Sequence, residues 1–188
     1  MNAADVVAAA LASALDGRAA QAYGLWCIDV PAVGWLRAVS TARDEHGLTY
    51  LDWLSGVDVG QDGFSIVAHV LDPDTMTHLL LRTQVPREKP RLASVRTIHR
   101  GAGWHERETA EMYGVSFDGH PDPLPLLLPD GFEGHPLRKD FVLAARVVKA
   151  WPGAKEPGES DASAAPRRRI RPPGVPEPGE WGREETGE

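Results

Sequence analysis

The chain has 188 residues, 42% of them hydrophobic, and a formal net charge of −7. That length allows one core-bearing domain with an appendage. The negative balance argues against nucleic acid, which needs clustered Lys and Arg to displace counterions, and the single cysteine, Cys27, excludes an internal disulfide or a Cys-based zinc or iron–sulfur site.

Residues 1–10 carry no basic residue and Asp5 interrupts their apolar run, so no signal peptide is expected. No stretch approaches the roughly 20 apolar residues of a membrane helix. Asn2 is placed to cap an alanine-rich helix over about 4–15, with Gly17 just past its end. Leu25 to Val30 reads as a short buried strand holding Cys27 as a small hydrophobe, which fits a reducing, cytoplasmic setting. Pro31 suits the first turn of a second helix with a stripe of Trp35, Leu36 and Val39, and Gly47 suits its stop. Three β-type segments follow at 48–53, 64–71 and 78–85. Asp62-Gly63 and Asp72-Pro73-Asp74-Thr75 supply the turns between them. Pro86 to Pro90 reads as a charged connector, and short helices are expected around 92–98 and 104–113 with Gly114 as a left-handed C-cap. Pro121, Pro123, Pro125, Pro129 and Pro136 then make 119–140 an ordered extended loop. The expected class is α+β: a small mixed or antiparallel sheet with helices on one face, then this Pro-rich loop and a C-terminal tail.

Residues 151–188 form a second region, distinct from the 1–150 domain. They hold seven of the sixteen prolines and six of the nineteen glycines, with six basic side chains against eight acidic ones. Two readings fit: a disordered tail, or an arm ordered on a neighbouring subunit with Ile170 and Trp181 as anchors.

Residues 104–141 hold most of the functional signal. Glu106-Arg107-Glu108 lies in the first turn expected for the 104–113 helix, where carboxylates favour the positive end of the dipole. Trp104, Glu108 and Met112 fall on one helical face, and Arg107 and Glu111 share another. An arginine fork flanked by carboxylates suits a partly buried ion-pair network at a contact surface. Gly-His-Pro occurs at 119–121 and again at 134–136; each His is pushed to extended geometry by its Pro, and each tripeptide pins a corner. Arg138-Lys139-Asp140, between Leu137 and Phe141, resembles an interface rim. Competing readings are weaker. A general acid/base carboxylate pair would need side chains that converge, and adjacent helix positions point apart. The spacings of His99, His105, His120 and His135 match no common zinc pattern. Gly101-Ala-Gly103 lacks the third glycine of a nucleotide loop and reads as a tight turn before the helix.

The run Glu106-Arg107-Glu108, two residues, Glu111, the apolar pair Met112-Tyr113, six residues, then His120 resembles the signature of the hydrophilic thirty-kilodalton (C-type) subunit family of respiratory complex I, the NADH:quinone oxidoreductase. The resemblance covers roughly residues 20–145 and is strongest at 98–141, with local departures at His99-Arg100 and Thr109-Ala110. It implies a non-redox structural or assembly subunit in the peripheral arm of a proton-translocating complex, on the cytoplasmic face of the bacterial plasma membrane. The chain itself would carry no cofactor and no catalytic residue, whereas the complex uses FMN, iron–sulfur clusters, NADH and quinone. Expected partners are the D-type subunit, which shapes the quinone site, and the B-type and I-type iron–sulfur subunits. The expected contact residues are Trp104, Glu106, Arg107, Glu108, Met112, Tyr113, His120, Pro121, Glu133, His135, Arg138, Lys139, Asp140 and Trp181. Two alternatives remain: the equivalent scaffold of a membrane-bound hydrogenase or F420H2 dehydrogenase, and a free-standing carboxylate- or metal-dependent enzyme.

Overall fold

The computed structural model describes residues 3–122 and 124–142. Asn2 as a helix cap, the boundary at 150, and Ile170 and Trp181 as anchors lie outside the described residues. In chain order the elements are α1 (Ala3–Ala14), β1 (Arg18–Ala22), β2 (Leu25–Asp29), a 3-10 turn (Ala32–Gly34), α2 (Trp35–Asp44), β3 (Tyr50–Asp58), β4 (Phe64–Leu71), β5 (His78–Val85), β6 (Arg91–Ala93), α3 (Ala102–Tyr113) and β7 (Ser116–Asp118). The main sheet runs β1-β2-β5-β4-β3, with β2 parallel to β5 and the other pairs antiparallel. β6 and β7 form a separate parallel pair. The expected α+β class with a small mixed sheet is what the chain adopts.

Strand alternation decides which face is covered. β4 buries Phe64, Ile66, Ala68 and Val70, and β5 buries Leu79, Leu81, Thr83 and Val85, every second residue in each case. Register places Ile28 beside Leu81 and Leu54 beside Ala68 on that same face. Helices α1 and α2 add Leu11, Trp35, Ala38, Val39 and Ala42 to one core cluster. The Trp26 indole, on the same face, donates to Asp5 of α1 at 3.0 Å. α3 lies on β3, where Gly56 lets the Tyr113 ring approach: a Cβ there would sit 2.8 Å from that ring. The opposite face keeps Cys27, Ser55, Val67, His69 and Leu80 half-buried and Val57 exposed.

Four local expectations are corrected. β1 has no counterpart among the expected elements, because Arg-Ala-Ala-Gln-Ala lacks a β pattern; it forms as an edge strand on β2 through a turn in which Tyr23 and Gly24 both take positive φ. The helix expected at 92–98 is instead β6 followed by turns. Its backbone donors serve tertiary partners, Ser94 N–H on the Asp118 carbonyl and Val95 N–H on the Glu106 carboxylate. Leu36 is exposed rather than in the α2 stripe, which is Trp35, Ala38, Val39 and Ala42. The strand expected at 48–53 begins at Tyr50 and runs on to Asp58, since α3 supplies a packing surface there that local sequence does not announce.

Candidate functional site

Helix α3 starts at Ala102, two residues earlier than expected. Ala102 and Gly103 are therefore helical rather than a tight turn, and Glu106, Arg107 and Glu108 fall in the second turn. The dipole account of the carboxylates fails for that reason, and other partners hold them. Glu106 is 1% exposed. It accepts the Ser94 hydroxyl at 2.6 Å and the Val95 N–H at 2.7 Å. Burial raises its pKa above the ordinary glutamate value, against the opposing pull of these two donors and of the Arg96 charge. His120 Nε2 lies 3.9 Å from the Glu106 carboxylate and 3.1 Å from the Gly103 carbonyl, while its Nδ1 receives the Asp122 N–H at 3.1 Å. A ring protonated at Nε2 satisfies both backbone partners.

Arg107 and Glu111 turn their charges on the loop rather than on each other. Arg107 donates through Nε to the Leu124 carbonyl at 2.7 Å and through its terminal nitrogen to the Pro125 carbonyl at 2.5 Å. Its ion partner is Asp122, at 3.8 Å, so the expected network with flanking glutamates is replaced by a clamp on backbone. The Glu111 carboxylate accepts three successive N–H groups, from Leu126 at 2.6 Å, Leu127 at 2.9 Å and Leu128 at 3.2 Å. Charge-assisted bonds of this type are roughly twice as strong as neutral ones. They suit a Pro-rich segment whose carbonyls and remaining donors find no ladder partner.

The second Gly-His-Pro docks on the C-terminal end of α3. His135 Nδ1 bonds the Glu111 carbonyl at 2.7 Å, Leu137 N–H the Met112 carbonyl at 3.2 Å, and Arg138 Nε the Tyr113 carbonyl at 2.6 Å. These are the carbonyls a helix end leaves unpaired. Gly114 caps the helix at φ 73°, and a Cβ there would overlap the tips of Arg138 and His135. Beyond it, Asp58 at the end of β3 accepts the Gly60 N–H at 2.8 Å and the Lys139 N–H at 2.9 Å, and pairs with Arg87 at 3.2 Å. Burial pushes the Asp58 carboxyl upward, yet the hydrogen bonds from Lys139 and Gly60 and the Arg87 charge together hold it below the ordinary value. Arg87 also reaches Asp140 at 3.4 Å, and Arg87 and Arg138 each lie 5.1 Å from the centre of the Phe64 ring.

Of the residues singled out by sequence, Glu106, Arg107, Met112, Tyr113, His120, His135, Arg138, Lys139 and Asp140 thus converge on one assembly of α3, its loop and the end of β3. Pro121 and Glu133 are exposed, and Glu108 is half-buried on α3. Trp104 is 67% exposed and stands apart from the clamp. Exposed Leu124, Leu127 and Leu137 lie on the clamped loop. A cleft of about 420 Å³ opens among Glu106, Arg107, Gly114, Phe117, His120 and His135. Sequence reasoning missed Asp58, Arg87 and Ser94, and placed Arg107 and Glu111 on one helical face without the loop that both hold. A buried acid requires donors, but nothing local to Ser94 or Asp58 says which acid or loop they meet. Among the described residues, no group of three or more His, Cys, Asp or Glu side chains could hold a metal ion, and no helix is long and apolar enough to cross a membrane.

Residues 28–147 match the family of the respiratory-chain NADH dehydrogenase 30 Kd subunit. The NADH-quinone oxidoreductase C/D subunit of Phocaeicola vulgatus is 38% identical over 115 residues, which are 61% of this chain and 22% of that one. The NADH-quinone oxidoreductase C subunit of Phenylobacterium zucineum is 37% identical over 128 residues, 67% of this chain and 61% of that protein. The F(420)H(2) dehydrogenase C subunit of Methanosarcina mazei is 43% identical over 90 residues, 47% and 57% of the two chains. The matched region thus spans less than two thirds of each of these relatives. Among solved structures, a trypsin-resistant fragment (1–134) of Nqo5 superposes with a TM-score of 0.57 at 22% identity, over 64% of this chain and 99% of the fragment. A chain of the membrane-bound sulfane sulfur reductase, an archaeal respiratory membrane complex, gives 0.66 at 24% identity, over 74% and 85%. These two likenesses carry the fold alone. The chain belongs to the 30-kilodalton subunit family of the respiratory-chain NADH dehydrogenase.

Proposed function

We propose that this chain is a non-redox structural and assembly subunit of the peripheral arm of complex I, on the cytoplasmic face, packing against the D-type quinone-site subunit and near the B-type and I-type iron–sulfur subunits. One observation carries the reading. Glu106, Arg107, Glu111 and His120 of the family motif are each engaged with the chain's own backbone, from the three N–H groups on Glu111 to the two carbonyls on Arg107. Such an arrangement holds a loop in place, which is the work of a scaffold. The clamped loop exposes Leu124, Leu127 and Leu137, and α3 exposes Trp104. Exposed aromatic and aliphatic groups rimmed by charge suit a protein partner. The Phocaeicola vulgatus relative, named as a C/D subunit, supports the quinone-site subunit as that partner. In this reading FMN, iron–sulfur clusters and the NADH and quinone sites belong to other subunits.

A second reading keeps the scaffold and changes the machine. The Methanosarcina mazei relative, at 43% identity, favours an F420H2 dehydrogenase of the same build. Neighbouring genes separate the two: flavin subunits that bind NADH against subunits that use F420. The structural role itself is tested by co-expressing the full chain with the quinone-site subunit of its own genome and following co-elution on size exclusion. Wild type is expected to co-elute, while Trp104→Ala combined with Leu127→Ser weakens the association at unchanged fold. Equal co-elution of both would remove this face from the contact, and failure of wild type to associate would remove the scaffold reading.

A further inference from the structure

The open face of the main sheet carries a second cluster, away from α3. His69 on β4 and His78 on β5 are diagonal neighbours: His69 pairs with Leu80, two residues from His78. Both side chains lie on the face opposite the core, since Val70 and Leu79 between them are fully buried. His69 Nε2 and His78 Nδ1 stand 3.0 Å apart, with their ring planes crossed at 76°. The other nitrogen of His69, Nδ1, meets the Asp52 carboxylate at 2.9 Å. Asp52 comes from a β-bulge in β3, where the register shifts between Leu51 and Trp53. Trp53 flanks the group, its ring 5.9 Å from that of His69.

We propose that His69 and His78 form a two-imidazole site for a borderline transition-metal cation, Zn2+ above all, with Asp52 orienting the first ligand. Two imidazole nitrogens bound to one Zn2+ at about 2.0–2.1 Å lie about 2.8–3.0 Å apart at octahedral angles and about 3.3–3.4 Å apart at tetrahedral ones. The observed 3.0 Å meets the octahedral separation as it stands and needs an opening of about 0.3 Å for the tetrahedral one. A carboxylate accepts from Nδ1–H, which leaves the lone pair of His69 on Nε2, aimed at its neighbour. That is the carboxylate–histidine–metal arrangement in which an outer carboxylate fixes tautomer and ring orientation. His78 holds the shared proton on Nδ1; on binding metal it carries that proton on Nε2 instead, so no net proton is released. Water completes the coordination shell, which makes the site labile. Imidazole donors select Zn2+, Ni2+ and Cu2+ over Mg2+ or Ca2+.

The test is titration of the purified full chain with Zn2+ by calorimetry, beside His69→Gln, His78→Gln, Asp52→Asn and His46→Gln. One equivalent is expected to bind wild type and His46→Gln alike. Either site histidine variant should weaken binding by about thirtyfold or more, and Asp52→Asn by about tenfold, the usual scale for losing an outer partner. The site rings lie on the sheet surface, so melting temperatures should stay close to wild type. As a second readout on the wild-type chain, substoichiometric Ni2+ should broaden the ring resonances of His69 and His78 first. Zn2+ binding no tighter than about millimolar, binding that survives both site variants, or broadening that begins at other histidines would overturn the proposal.

Discussion

Asp58, at the end of β3, accepts the backbone N–H of Lys139 at 2.9 Å, 81 positions further along the chain. A single half-turn of loop is thereby tied to the main sheet, and Arg87 shares the same carboxylate. Removing the carboxylate leaves Arg87 and the Lys139 N–H without it. Asp58→Ala is expected to cost about 2–4 kcal/mol, in the range for breaking a buried pair from one side. Urea unfolding measures the loss, and hydrogen exchange should show faster opening at 137–141. Wild-type exchange there would refute the anchoring role.

Glu111 offers a more local test. Its carboxylate holds the N–H groups of Leu126, Leu127 and Leu128, and little else in the loop pairs with a ladder. Glu111→Ala should cost about 1–2 kcal/mol globally. Its larger effect is expected on protection and proteolysis of 124–128, which local opening governs. Unchanged protection of these three amides would mean another contact secures them.

The pH response has two opposing arms. Folding raises the Glu106 pKa, chiefly by burial, so the native state binds this proton more tightly than the unfolded chain. Its contribution is full below the ordinary glutamate value and is lost as pH rises through the raised value. Burial, then the Arg43 charge, lowers the His99 pKa. That contribution is full above the ordinary histidine value near 6.5 and is lost as pH falls through the lowered value. Glu106→Gln keeps one acceptor for Val95 N–H and should cost about 1 kcal/mol. It should also abolish the loss on the rising arm. Denaturant midpoints from pH 4 to 8 for wild type and Glu106→Gln check this; parallel curves would contradict it.

Gly114 and Gly56 should each resist a methyl group for different reasons. At Gly114 the left-handed backbone and the crowding by Arg138 and His135 act together. At Gly56 the added carbon meets the Tyr113 ring, and α3 must lift from β3. Each alanine variant is expected to lose about 1–3 kcal/mol, measured as a drop in melting temperature. Gly114→Ala should in addition lower the protection of 135–138. A neutral Gly56→Ala would show that α3 is free to move away from the sheet.

Local chemistry by itself determined much of this protein. Period-2 burial in 64–71 and 78–85, the Asp72 turn, the Trp35 and Val39 stripe and the Gly114 cap are visible because each depends on residues within a few positions. The order and spacing of Glu106, Arg107, Glu108, Glu111 and His120 were enough to indicate the family. Only the tertiary structure decided what those residues hold. Ser94 and Val95 meet Glu106 from a segment that reads locally as helix, and Asp58 meets a loop 81 positions away. The cluster of Asp52, His69 and His78 likewise exists only once β3, β4 and β5 are in register. A buried or clustered polar group needs partners, and burial fixes that requirement in sequence; which partner satisfies it is set by chain topology, to which short-range patterns are blind.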